Sequence, residues 1–88
     1  MIKVKLYLST SCQTCGKMKN VLSSICDEIN IKLDFIWKED DKDNEFGRHG
    51  VNQTPTMIVT KDNTPVNSYV GLQSRSEIIS KLSQYKEM

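Results

Sequence analysis

The sequence predicts an α/β fold with elements in the order β-α-β-α-β-β-α, a four-stranded mixed sheet and helices on both faces. Three observations predict it. Apolar residues alternate at period two from Ile2 to Leu8 and then recur at helical spacing from Met18 to Ile29. A second alternating stretch follows, and after it two short strand-like runs lie close enough to pair as a hairpin. The chain has 88 residues, room for one hydrophobic core, so residues 1–88 are read as a single domain.

Each element has its own warrant. Ile2, Val4, Leu6 and Leu8 alternate with Lys3, Lys5 and Tyr7, which is a strand with one apolar face. Ser9-Thr10-Ser11 breaks the pattern with small polar residues. Met18, Val21, Leu22, Ile25, Cys26 and Ile29 then fall on one stripe of a helix expected from about residue 13 to 29. Ile31, Leu33, Phe35 and Trp37 alternate again, with Ile36 on the other face. In the charged run from Lys38 to Glu45, Asp40 or Asp41 can cap a short helix reaching about His49, and Gly50 can end it in the left-handed conformation. Thr56 to Thr60 reads as a buried strand and Val66 to Val70 as its hairpin partner, with Lys61 to Pro65 as the turn. Ser74-Arg75-Ser76-Glu77 fits a capping box before Ile78, Ile79, Leu82 and Tyr85. Two parallel strands joined by a helix make a right-handed unit, and the hairpin adds antiparallel pairing.

Composition narrows the function. Twelve Lys and Arg face eleven Asp and Glu, a balance that argues against a nucleic-acid binder. No apolar run is long enough for a membrane span, and the alternating N-terminus reads as a strand, not a signal peptide. Three cysteines are too few, and of the wrong parity, for a disulfide scaffold. A cytoplasmic, reducing setting is expected, where a close cysteine pair is catalytic or metal-binding.

That pair is Cys12-Gln13-Thr14-Cys15, directly after the first strand and opening the first helix. Three residues is one helical turn, so both sulfurs share a face and can bond. Chemistry in open α/β sheets collects at the carboxyl ends of strands. A helix N-terminus there would stabilise a Cys12 thiolate, with Lys17 and Lys19 adding positive charge. Zinc needs about four ligands and the pair supplies two. The remaining candidates are Cys26, about 16 Å further along the helix, and His49, so no metal is expected. Cys26 reads as a small core residue and His49 as a surface or capping residue. Trp37 reads as a strand aromatic, and Glu39, Asp40, Asp41, Asp43 and Glu45 as a solvated helix start. Thr54-Pro55-Thr56 puts a proline at the start of a buried strand, where the bond before it can be cis or trans.

Residues Tyr7 to Lys19, with Cys12 and Cys15 at their centre, resemble the active-site strand, loop and helix of small glutaredoxin-like proteins. His49 to Thr56 resembles the segment that carries the cis-proline in thioredoxins, and Tyr69-Val70-Gly71 the glycine bordering their substrate groove. With all three in order over nearly the whole length, the chain is identified as a member of the thioredoxin/glutaredoxin superfamily. The resemblance implies a thioredoxin fold, a cis Pro55 and a protein thiol–disulfide oxidoreductase. Cys12 would be the nucleophile and Cys15 the resolving thiol. Gln13, Thr14, Thr54, Pro55 and Gly71 would line the substrate groove, and Lys17 would tune the thiol. No cofactor is implied. The partners would be disulfide-containing proteins and a thioredoxin reductase or other dithiol donor, with the chain a monomer.

The departures matter too. Ser11 replaces the usual thioredoxin tryptophan, and Leu6 replaces a buried acid. Gly71-Leu72-Gln73-Ser74-Arg75 lacks the second glycine and the acids that hold glutathione in glutaredoxins, so a protein dithiol is the expected electron donor. A redox sensor, a non-catalytic binding module using the same groove, and a glutathione-coupled glutaredoxin stand as alternatives.

Overall fold

A computed structural model describes residues 1–86. The chain runs β1 (Ile2–Leu8), α1 (Cys15–Ile29), β2 (Lys32–Trp37), α2 (Glu45–Arg48), β3 (Thr56–Lys61), β4 (Thr64–Val70) and α3 (Arg75–Lys86), with a 3-10 turn at Lys38–Asp40. The four strands form one sheet in the order β2-β1-β3-β4. β1 is parallel to β2 and antiparallel to β3, and β4 pairs antiparallel with β3. The order of elements along the chain and the mixed pairing are those expected from the periodicities.

The core lies between the sheet and the two long helices. Val4, Leu6 and Leu8 of β1 and Met57 and Val59 of β3 project to one face, where Met18, Leu22 and Ile25 of α1 and Ile78 and Leu82 of α3 meet them. All ten are fully buried. Cys26 joins the same cluster, as its place on the apolar stripe predicts. α3 begins with the expected capping box: Ser74 Oγ accepts from the Glu77 amide at 3.2 Å, and Glu77 Oε1 accepts from the Ser74 amide at 3.2 Å. Arg75 then clamps α3 to α1 through two bonds of 2.7 Å to the Glu28 carboxylate.

Among the described residues the opposite face carries only α2, a single turn, where a longer helix is expected from the sequence. Asp41, one of the two predicted caps, accepts from the amides of Glu45 and Phe46, both at 2.9 Å. The residues before them fold as the 3-10 turn and a loop instead of helix. Gly50 is left-handed (φ 63°) and closes α2 as predicted. Its amide bonds the Gly47 carbonyl at 3.3 Å and the Val51 amide bonds Phe46 at 2.8 Å, the paired pattern of a Schellman stop. The Phe46 ring meets Tyr7 edge-on at 5.2 Å, and Lys5 pairs with Glu45 at 2.8 Å, seating the turn on the sheet.

Two further differences have simple causes. The hairpin turn is only Asp62-Asn63, both at positive φ, so Thr64 and Pro65 belong to β4 rather than to the turn. Two left-handed residues match the right-handed twist of the strands, which a longer loop would not need. Pro65 is tolerated because β4 is an edge strand, and Val66 is left over as a bulge between the Val59–Asn67 and Thr60–Pro65 pairs. In β2, also an edge, Phe35 is exposed instead of facing the core, and the Lys19 ammonium sits 5.3 Å from its ring centre.

Tyr7 is fully buried, yet among the described residues its hydroxyl has no hydrogen-bond partner. Burial, and then the Glu45 and Asp41 carboxylates, push its pKa up to about 12. A buried donor without a partner costs about 1 kcal/mol or more. Tyr7→Phe is therefore expected to stabilise the protein by about 1 kcal/mol in urea unfolding. Because the folded value lies above the unfolded one of about 10, the unfolded state sheds this proton first. The wild type should lose stability as the pH rises from there toward about 12, and the gap to Tyr7→Phe should widen over that window.

Candidate functional site

The strand register assembles the site. Tyr7 of β1 pairs with Thr56 of β3, so the chain leaving β1 passes beside the residue that precedes β3, which is Pro55. Thr56 pairs in turn with Val70, which brings Gly71 alongside; its amide donates to the Pro55 carbonyl at 2.8 Å. Gly71 has φ 92°, a conformation side-chain-bearing residues rarely adopt. The Thr54–Pro55 peptide is cis, as the resemblance implied. Cysteines, cis-proline and glycine therefore meet at one end of the sheet although the sequence spreads them over 60 residues, from Cys12 to Gly71.

Cys12 and Cys15 form a disulfide with their Cα atoms 5.4 Å apart. They differ sharply in access. Cys15 is 1% exposed and packs in the core, while Cys12 is only partly covered and Gln13 and Thr14 are exposed. The helix starts later than expected: α1 begins at Cys15, and Cys12 sits in a turn whose amide bonds the Ser9 carbonyl at 3.2 Å. Thr14 is the residue before the helix, and its side chain makes no cap bond. Instead its Oγ1 lies 3.7 Å from the Cys12 sulfur. The first helical bond runs from the Met18 amide to the Thr14 carbonyl at 3.0 Å, so the amides of residues 15–17 have no partner inside the helix.

Among the described residues, no hydrogen bond or ion pair joins Lys17 to either cysteine. It lines a groove of about 430 Å³ with Val21, Leu72 and Arg75. His49 is exposed and ends α2, and Trp37 packs partly on the core, as their positions predict. Cys26 is unpaired and buried, and burial pushes its thiol up to about 11.

Glu39, which the sequence shows only as one acid of a solvated run, also holds the site. Its carboxylate accepts from the Thr10 amide at 3.1 Å and from the Ser9 hydroxyl at 3.1 Å. Ser9 Oγ also contacts Ser11 Oγ at 2.9 Å and accepts from the Ser11 amide at 3.3 Å. One carboxylate at the end of β2 thus fixes all three residues between β1 and Cys12. The parallel register pairs Leu8 with Trp37, and so sets the second residue past each, Thr10 and Glu39, side by side.

One reachable sulfur and one shielded sulfur, closed on each other, can exchange with a third sulfur that approaches the reachable one. That chemistry, held at the carboxyl end of the central strand against a cis-proline, defines a protein thiol–disulfide oxidoreductase. The family description "Thioredoxin" matches residues 2–84, and the chain belongs to the thioredoxin family. The thioredoxin of Staphylococcus epidermidis is 26% identical over 85 residues, covering 96% of this chain and 82% of that one. That of Chlamydia caviae is 30% identical over 79 residues, covering 90% and 78%. Solved structures carry the same fold. Thioredoxin 1 of Thermosipho africanus superposes with a TM-score of 0.84 at 20% identity, over 97% of this chain and 94% of that one. A mutant thioredoxin of Halobacterium salinarum reaches 0.86 at 18% identity, over 99% and 76%. Disulfide-bearing proteins and a reductase are the kinds of partner the family implies.

Two outcomes follow. Thr10 N–H, and with it the Ser9 hydroxyl, holds the Glu39 carboxyl below its ordinary range. Its folded pKa is thus below the unfolded value, so the stabilisation is present above about pH 4.3 and is lost as the pH falls through the folded value. The melting-temperature gap between wild type and Glu39→Ala should accordingly close on acidification. Cys26→Ala should keep disulfide turnover and cost about 1 kcal/mol for the small cavity, measured by urea unfolding.

Proposed function

We propose that Cys12 is the attacking thiol and Cys15 the resolving thiol in the reduction of protein disulfides. The observation that carries this is the contrast in access within one disulfide: the Cys12 sulfur can be approached, and Cys15 is 1% exposed. In the reduced protein, the Cys12 thiolate attacks one sulfur of the substrate disulfide. A Cys12–substrate disulfide forms, and the other substrate sulfur leaves as a thiolate and takes up a proton. Cys15 loses its proton and attacks the Cys12 sulfur, releasing the second substrate thiol. Two electrons have passed to the substrate, and the protein is left with the Cys12–Cys15 bond.

The neighbours support these roles. Thr14 Oγ1 is placed to donate to a Cys12 thiolate. The backbone of Thr54, ahead of Pro55, offers an edge along which an extended substrate segment can pair. Gly71 borders the same edge, and Val70 and Leu72 on either side of it are exposed apolar residues. Gln13 completes the exposed rim. Leu6 stands where an internal acid would otherwise take the Cys15 proton, so that proton leaves to solvent or to the departing thiolate.

The donor in this reading is a thioredoxin reductase or another protein dithiol, with the chain acting as a cytoplasmic monomer. Glutathione would bring an ammonium, and the first acid after Gly71 is Glu77, whose carboxylate is committed to the Ser74 amide. An unpaired ammonium in the groove would be costly.

Cys12→Ser is expected to abolish turnover, and Cys15→Ser to accumulate a mixed disulfide visible by mass spectrometry. Faster alkylation of Cys15 than of Cys12 in the reduced protein would reverse the assignment. Turnover should be sustained by a thioredoxin reductase and should be at least tenfold slower with glutathione and glutathione reductase; the opposite ranking in paired assays would refute the donor.

A further inference from the structure

Beside Cys12 lies a pocket of about 180 Å³ that the exchange chemistry does not use. Ser9, Ser11, Lys38, Phe46, Val51 and Thr54 line it, with the exposed carboxamides Asn52 and Gln53 at its rim. Ser11 is the residue before Cys12 and Thr54 the residue before Pro55, so a segment held between cysteine and proline passes this opening.

Proton counting fixes the polarity of one wall. A serine hydroxyl has a single hydrogen, and an ionised carboxylate only accepts. Ser9 Oγ gives its hydrogen to Glu39 Oε2 at 3.1 Å. In the 2.9 Å contact between Ser9 Oγ and Ser11 Oγ, the donor must then be Ser11. The chain of bonds runs from Ser11 to Ser9 to Glu39. Ser11 Oγ has spent its hydrogen and presents only lone pairs to the pocket. Lys38 is the opposite case: its ammonium only donates, and among the described residues it has no ion-pair partner. Phe46 and Val51 add apolar surface.

We infer that this pocket is a substrate subsite that selects a carboxamide side chain, glutamine or asparagine, flanking the target cysteine. A carboxamide carries a donor for Ser11 and an acceptor for Lys38 in one group, and its stem can lie on Phe46 and Val51. A carboxylate satisfies Lys38 and leaves Ser11 facing lone pairs. An ammonium satisfies Ser11 and faces a like charge. Leucine satisfies neither. The inference deepens the proposed protein-disulfide reductase reading and rests on it.

The test is a panel of peptide disulfides that differ at one residue, Gln, Glu, Lys or Leu, placed on each flank of the cysteine in turn. A small aromatic disulfide with no side chain for the pocket serves as reference. On one flank, kcat/KM for the Gln peptide should exceed that of the other three by about tenfold, the scale of one net hydrogen bond. Glu39→Gln gives a sharper readout. Its side-chain NH2 would donate to Ser9, freeing the Ser9 hydrogen for Ser11 and turning the Ser11 hydrogen toward the pocket. The preference should then move from the Gln to the Glu peptide. In Ser11→Ala the ratio of Gln to Leu should fall toward one. Equal rates across the panel, with the small disulfide still reduced, would overturn the subsite and leave the reductase reading intact. An unshifted preference in a folded Glu39→Gln protein would overturn the proton assignment on which the subsite depends. Should that variant not fold, retention of the Gln preference in Ser11→Ala would overturn it instead. Failure to reduce the small disulfide and every peptide would remove the reductase reading, and the subsite with it.

Discussion

Hydrogen bonding of β1 along both of its edges is the constraint from which the rest of the molecule follows. The strand is parallel to β2 on one side and antiparallel to β3 on the other. Its carboxyl end is therefore flanked by the end of one neighbour and the beginning of the other. The first supplies Glu39 and the second supplies Pro55. A one-residue slip in either register would turn Leu6 and Leu8 out of the core and carry the cysteines away from the proline. The apolar alternation of β1 thus fixes the reacting geometry as well as the stability.

The two faces of the sheet are unequal. One is sealed by α1 and α3, with Cys15 and Cys26 within the seal. The other is covered by one turn of helix, held by the Asp41 cap, the Gly50 stop and the Lys5–Glu45 pair. Tyr7 lies beneath that turn, its hydroxyl unmatched among the described residues. The reacting disulfide gains from this division. Its shielded sulfur belongs to the well-packed side, and its reachable sulfur sits in a turn fixed by polar contacts.

Much of this was legible beforehand. Strand and helix periods, the capping box at Ser74, the left-handed Gly50 and the core role of Cys26 were all readable, because each depends on a few adjacent residues. The pairing of Cys12 with Cys15 was readable for the same reason. What escaped depends on contacts distant in sequence. The start of α1 moved to Cys15 because nothing at Cys12 or Gln13 marks where helical bonding begins. Phe35 keeps the period of a buried strand, and only its place on an edge exposes it. Glu39 looked like one acid among five, since its partners Ser9 and Thr10 lie 30 and 29 residues away. Lys17, whose first-turn position places a positive charge near the thiols, also lines the groove beside Leu72, a contact its sequence position does not announce.

The outer strand bears on how the molecule behaves in a crowded solution. An unpaired sheet edge invites a second chain to add to it. In β4 the first half of that edge is spoiled twice, by a proline that offers no N–H and by a bulge at Val66 that breaks the rise. Only the stretch from Asn67 to Val70 keeps regular spacing, and it ends at the left-handed Gly71. Four residues are too few to template a lasting cross-chain ladder. The edge strand that leads to the reactive groove is thereby poorly suited to pairing with a second copy of the chain.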